Sequence, residues 1–304
     1  MWGRWADILD ARVDSPAQET VGKTNEKERD LMMHKPWGIR TSVWLVCGTL
    51  MAGLAVGGLV GAGHAHAADF AYAGDAGPGF WAELDPAWEA CAGAGGRQSP
   101  IDLSHVVVDP GLEPLQLAVE PTPIALINNG HVIEEEYEAG STLQFEGVVY
   151  HLAQFHFHTL SEHTVRGQHG VMELHAVFND DPVHTTKTAV VGMRYTIGSE
   201  NRFLATLLAH GLPEKAGDRV DAPDEINLAD GLTDTASYYT YPGSLTTPPC
   251  SENVTWIVLT RLAELSTQQF EAFRHLLGND FRPLQERNGR VVRVTRDGQG
   301  HTGD

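Results

Sequence analysis

Short runs of β-type, largely apolar residues recur along this chain between turn signals, and two of them, 154–158 and 172–177, alternate with a period of two. Ile124–Ile127 stops at Asn128-Asn129-Gly130, and Val148–His158, Met172–Phe178, Ala189–Ile197 and Val254–Leu259 repeat the habit. Each run predicts a strand, because successive strand side chains point to opposite faces of a sheet. Helical spacing is confined to Glu200–His210 and Thr267–Leu277, the latter aligning Phe270, Phe273, Leu276 and Leu277. Residues 68–100 are rich in Gly, Ala and aromatics and predict a loop-like arm anchored by Trp81 and Trp88. No internal repeat, long linker or low-complexity stretch interrupts the pattern. One mainly β domain with a few short surface helices follows.

Composition supports this reading and narrows the function. Of 304 residues, 42% are hydrophobic and 20% charged, enough apolar material for a real core. The formal net charge is −19, and residues 1–67 are balanced, so the acidity belongs to residues 68–304. Lys187 and Lys215 are the only lysines there. Such a surface repels nucleic acid, which is excluded as a partner.

The first 67 residues read as export. Residues 1–34 are a polar extension, with Met32 or Met33 as an alternative start. Residues 35–67 predict a signal peptide: Lys35 and Arg40, the apolar stretch 42–63, then Ala65-His66-Ala67 as an A-x-A cleavage pattern. An inner-membrane anchor over 42–63 is the alternative, since about 20 apolar residues can span a bilayer. Residues 68–304 then form the mature domain, periplasmic or secreted. Cleavage removes Cys47 and leaves Cys91 and Cys250. In an oxidising compartment that pair reads as one disulfide, with two unlinked thiols as the alternative.

The chemistry lies in two strand-like runs. Gln154, His156 and His158 share one face of the first, while Phe155 and Phe157 share the other. In the second, Glu173 and His175 share a face, and Leu174 and Ala176 turn to the core. Three imidazoles leave the fourth tetrahedral position of a zinc ion open, which suits catalysis rather than structure. Gln154 and Glu173 are near enough in sequence to orient the ligating rings. Spacing alone leaves ordinary strand histidines as the competing reading.

In combination, the segments QFHFH (154–158), SEHTV (161–165), ELH (173–175) and YPGSLTTPP (241–249) resemble the signature segments of the α-class carbonic anhydrases. RQSPID (97–102), NNGH (128–131) and VTWIVL (254–259) match in the same order, so the resemblance runs from about Tyr72 to Arg290. The short segment between His158 and His175 is similar to the bacterial, exported members. The resemblance implies a large, mostly antiparallel twisted sheet with zinc (Zn2+) at the bottom of a conical cleft. It implies reversible hydration of carbon dioxide to bicarbonate and a proton through a zinc-bound hydroxide.

Roles follow residue by residue as implications of that resemblance. His156, His158 and His175 match the metal ligands, and Gln154 and Glu173 the acceptors behind them. Thr246 and Glu162 match the hydroxyl and carboxylate that orient the hydroxide. Val177, Val190, Leu245 and Trp256 match the apolar wall for carbon dioxide, and Thr247 lines the same pocket. His131 matches the proton shuttle, with Tyr72 and Asn129 ordering water toward it, while His163 matches a structural residue. Cys91 and Cys250 match a disulfide, and Ser99-Pro100 and Pro248-Pro249 match cis peptide bonds. Sulfonamide and anion inhibitors are expected, with no obligatory protein partner and a monomeric or homodimeric state. A catalytically silent, anhydrase-like binding domain is the alternative function. Two departures stand out: Glu134-Glu135-Glu136 follows the shuttle position, predicting a raised His131 pKa, and Glu286-Arg287 replaces a common Pro-Leu.

Overall fold

In the computed structural model, residues 69–296 are described. The polar extension 1–34, the signal or anchor segment 35–67 and its cleavage site all lie outside those residues. Among the described residues no helix is long and apolar enough to cross a membrane.

The predicted runs become the middle of a single large sheet. Its principal strands are β1 (Thr122–Asn128), β2 (Ile133–Glu136), β3 (Val148–His158), β4 (Met172–Asn179), β5 (Thr188–Ile197), β6 (Arg219–Ile226), β7 (Tyr238–Gly243) and β8 (Val254–Leu259). Across the sheet they run β7-β8-β5-β4-β3-β2-β1-β6. All neighbours in this row are antiparallel except β5 and β8, which are parallel. Shorter strands, among them Val107–Val108 with Arg293–Val294, extend the edges to thirteen strands in all.

The sheet is buried on both faces in different ways. On one face, Phe155, Phe157, Leu174, Ala176, Phe178, Val191 and Ile257 join one large apolar core. The helix Thr267–Leu277 seals it, Phe273 lying 4.7 Å from Phe157 between ring centres. Ser266 and Gln269 close a reciprocal capping box at its start, and Gly278 takes a positive φ of 69° after its end. The helix predicted from residue 200 spans only Arg202–Leu208, because the Asn201 side chain caps it by accepting from the Leu204 amide. On the other face Val190, Tyr241, Trp256 and Val258 form a smaller cluster beside the histidines.

The N-terminal arm is more ordered than a loop. Gly74–Ala76, Trp81–Leu84 and Pro86–Ala92 are short helical turns, the last capped by the Asp85 carboxylate accepting from Ala87 N–H. Trp81 is fully buried and donates from Nε1 to the Ala71 and Ala76 carbonyls at 3.0 Å each. The arm is clasped by a disulfide between Cys91 and Cys250, whose Cα atoms are 5.1 Å apart across a separation of 159 residues. Ser99-Pro100 and Pro248-Pro249 are cis, as is Thr159-Leu160. Arg287, one of the two unusual residues near the C-terminus, donates to the Ser104 and His105 carbonyls at 2.7 and 3.1 Å and so packs productively.

The carboxylate run on β2 splits by parity. Glu134 and Glu136 share the face of the histidine row, whereas Glu135 is buried on the core side and accepts from the Ala125 amide at 2.9 Å. Burial lifts the Glu135 pKa from 4.5 to about 7. The folded state therefore binds this proton more tightly than the unfolded chain. Its stabilising contribution is complete below pH 4.5 and is lost as pH rises through 7. Glu135→Gln should accordingly be more stable than the parent by about 1–2 kcal/mol at pH 8 after allowance for screening. Denaturant unfolding at pH 8 and pH 5 checks this, the advantage shrinking at the lower pH.

Candidate active site

Cross-strand register assembles the site. His156 on β3 lies opposite His175 on β4, His158 opposite Glu173, and Gln154 opposite Val177. The rows continue onto β5, where Gly192 pairs with His175, Val190 with Val177 and Arg194 with Glu173. A Cβ at Gly192 would sit 2.9 Å from Glu173 Oε1, so the carboxylate occupies the space a side chain would take.

The pairing of β3 with β4 shifts register between Leu152 and Gln154. Before the shift, Tyr150 and Leu152 face the main core; after it, Phe155 and Phe157 do. The irregularity turns the even-numbered residues out of the core and onto the site face.

Candidate ligand nitrogens of His156, His158 and His175 lie within 4.8 Å of one another. Each ring is held from behind. His156 Nδ1 contacts Gln154 Oε1 at 2.8 Å, and His158 Nδ1 meets the Asp280 carbonyl at 2.7 Å. His175 Nε2 is 3.2 Å from Glu173 Oε1. These contacts leave His156 Nε2, His158 Nε2 and His175 Nδ1 for a metal. His158 Nε2 is buried without a hydrogen-bond partner, a cost that a bound cation removes. Burial holds His156 well below its ordinary pKa and His175 at about 4, so the rings are neutral and their lone pairs available. A second set, His163 with Glu173 and His175, also clusters. Both His163 nitrogens are already engaged, by Glu173 at 2.8 Å and the Tyr241 hydroxyl at 2.7 Å, so that set is structural.

Glu162 is fully buried beside the ligand cluster, its Oε2 at 3.8 Å from His158 Nε2 and 3.9 Å from His175 Nδ1. Oε1 accepts the Arg282 amide at 2.8 Å. The Thr246 hydroxyl also acts to lower its pKa, although Oε2 completes no hydrogen bond. Burial dominates and raises the carboxyl to about 8 in the metal-free chain. A cation beside it favours the ionised form, so metal binding and deprotonation are coupled. Glu173 moves the opposite way: burial opposes its charge, but His163 and His175 outweigh that and hold it well below the usual range.

The apolar wall is continuous with the ligands. Trp256 lies 4.8 Å from His175 between ring centres, and Val190, Val177 and Leu245 pack in the same cluster. Thr247 is half-buried on the loop carrying Thr246, and its carbonyl accepts the Cys250 amide at 2.9 Å.

His131 sits on the turn before β2. Asn129 Oδ1 accepts the amides of His131 and Val132 at 3.0 Å each, so this side chain builds the turn. The Tyr72 hydroxyl is buried without a partner among the described residues and feels the charges of Glu162 and Asp280. The His131 ring stacks on Phe70 at 3.7 Å, with Nε2 3.5 Å from Asp69. Burial lowers its pKa, opposed only by Asp69. The expectation that Glu134 raises it is therefore wrong. Glu134 lies opposite His156 on β2 and contributes nothing to His131, whereas Phe70 strips water from the imidazole.

Four contributors escaped the sequence reading. The Asp280 carbonyl carries no side-chain signal, being a backbone group. Phe70 and Asp69 lie on an arm read as a loop. Arg282 is buried and donates to Gln98 Oε1, the Ser99 carbonyl and the Cys91 carbonyl while its own amide holds Glu162. An isolated Arg before Pro283 was its only sequence mark.

A family model described as eukaryotic-type carbonic anhydrase matches residues 76–296. A carbonic anhydrase from Klebsiella pneumoniae is 38% identical, the match covering 74% of this chain and 91% of that one. The α-carbonic anhydrase of Photobacterium profundum is 36% identical with a TM-score of 0.68, covering 74% of this chain and all of its own. The enzyme from Thermovibrio ammonificans, solved with the inhibitor sulfanilamide, is 36% identical with a TM-score of 0.71, covering 75% and 100%.

Because Gln154 orients His156, Gln154→Ala should weaken divalent-metal affinity roughly 10–100-fold. Competition against a chelator of known affinity measures it, with circular dichroism showing an unchanged fold.

Proposed function

The chain belongs to the α-class, eukaryotic-type carbonic anhydrases, and from that membership we propose that it hydrates carbon dioxide reversibly at a zinc ion held by His156, His158 and His175. The observation that carries the zinc assignment is the convergence of three imidazoles, with His158 Nε2 buried and lacking a hydrogen-bond partner. Bound there, zinc supplies a Lewis acid that brings the pKa of water to about 7, a known property of this family.

The remaining work falls to the protein's own groups. Glu162, ionised beside a cation, accepts from the Thr246 hydroxyl and so leaves Thr246 only its lone pairs for the attacking oxygen. That oxygen is thereby turned toward the carbon dioxide lying against Val177, Val190, Leu245 and Trp256. The Thr246 amide meets the negative charge that develops on the product. Thr247 borders the pocket. His131 takes the released proton through water near Tyr72 and Asn129 and passes it to buffer, a task suited to an imidazole titrating below its ordinary 6.5. The disulfide supports an exported, periplasmic or secreted enzyme, and sulfonamides should inhibit it, the Thermovibrio relative having been solved in complex with the inhibitor sulfanilamide.

Stopped-flow hydration with and without a zinc chelator tests the reading. Activity that survives complete zinc removal overturns it. Thr246→Ala should lower kcat/KM on the order of 100-fold. His131→Ala should lower kcat by about 10- to 100-fold at low buffer, with imidazole restoring it.

Phe70 gives the shuttle a distinct pH signature. In the parent, the acid limb of kcat should have its midpoint below 6.5. Removing the ring in Phe70→Ala rehydrates the imidazolium and should move that midpoint upward, as a pH–rate profile would record.

A further inference from the structure

On the same face of the sheet as the histidines but apart from them, a separate cavity of about 570 Å³ is lined by Gln168, His169, Arg194, Tyr239, Thr260 and Arg261 among others. Arg194 is only 3% exposed, yet its guanidinium makes a single long hydrogen bond, from Nη2 to the Thr260 carbonyl at 3.4 Å. Nε has no partner, and no carboxylate of the described residues comes within 4.0 Å of this side chain. A guanidinium presents five N–H donors in a rigid fork, and one buried without an anion is costly. The two carboxylates whose charge reaches it are engaged elsewhere. Glu173 is held by His163 and His175, and Asp102 by Thr164, Ser104 and Gly167.

The walls of the cavity fit this deficit. None of its lining residues is acidic, in a chain of net charge −19. Arg261 adds a second guanidinium, paired with Asp234 at 2.9 Å, and His169 is fixed by its Nδ1 contact with the Ser161 carbonyl at 2.6 Å.

We propose that Arg194 anchors a second ligand site, outside the catalytic cleft, for a small planar oxyanion of the bicarbonate or carboxylate type. The fork matches two oxygens of such an ion bidentately, which a spherical halide cannot reproduce. Through β5 the site adjoins Glu173, so an ion bound there sits one residue pair from the support of His175. Its occupancy does not depend on hydration activity, and neither does its test.

The full-length chain, labelled with ¹⁵N-arginine, is titrated with sodium formate, sodium bicarbonate or sodium chloride at constant ionic strength. The Arg194 Nε–H resonance, identified by its loss in Arg194→Met, should shift and saturate with the oxyanions. Chloride should produce no comparable saturation. Saturation at lower bicarbonate than formate assigns the site to the product of the reaction, and the reverse order assigns it to carboxylates. Arg194→Lys, which keeps the charge without the fork, should weaken the oxyanion at least about tenfold. Should the variants not fold, thermal unfolding of the parent with its catalytic cleft filled by a sulfonamide decides: formate should raise its midpoint above that in equal chloride. Equal responses to all three salts, in shift and in midpoint, overturn the proposal.

Discussion

The extra residue that breaks the β3–β4 register near Ala153 decides what this protein can do. Along β3 the residues before it send even-numbered side chains into the core, and those after it send odd-numbered ones. Without the break, His156 and His158 would be packed among phenylalanines, and Phe155 and Phe157 would face the cleft. With it, three histidines, Gln154, Glu173 and the Gly192 gap line up in adjacent rows on stiff, fully paired strands. The large apolar core on the opposite face then makes this register costly to leave, because any slip would bury imidazoles and expose aromatic rings.

That rigidity matters because the site contains more buried charge than a stable interior tolerates without partners. Glu173 resolves its burial by holding two histidines and stays ionised. Glu162 has no histidine donating to it and is pushed up by burial to about 8, leaving a carboxyl whose state depends on a metal. Arg282 links this pair to the periphery. Its amide grips Glu162, and its guanidinium grips the carbonyls of Ser99 and Cys91, next to the disulfide that fixes Cys250 and the loop of Thr246. Arg194 shows the same tension unresolved, its guanidinium buried beside a cavity with no carboxylate paired to it.

Much of this was legible beforehand because it follows from local chemistry. Runs of β-type residues between turn signals located β3, β4, β5 and β8 nearly to the residue, and the Thr267–Leu277 helix carries its own caps. Gln154 could be paired with His156 because the two share a face two residues apart. Asp280, by contrast, supports His158 through its carbonyl from 122 residues away, and no side-chain pattern encodes that. The expectation that Glu134 raises the His131 pKa failed for a related reason. Glu134 is three residues away in sequence but separated by strand geometry, while Phe70, distant in sequence, lies flat on the imidazole.

The sequence by itself determined the element types, the histidine face, the pairing of Cys91 with Cys250 through family resemblance, and the family. These depend on spacing along one strand or on segments that recur as words. Only the tertiary structure decided the register break, the backbone ligand support from Asp280, the burial that sets the protonation of Glu162 and His131, and the isolation of Arg194. Each of those depends on which atoms are absent or present within a few ångströms across the fold, and dielectric environment is a property of packing, not of order along the chain.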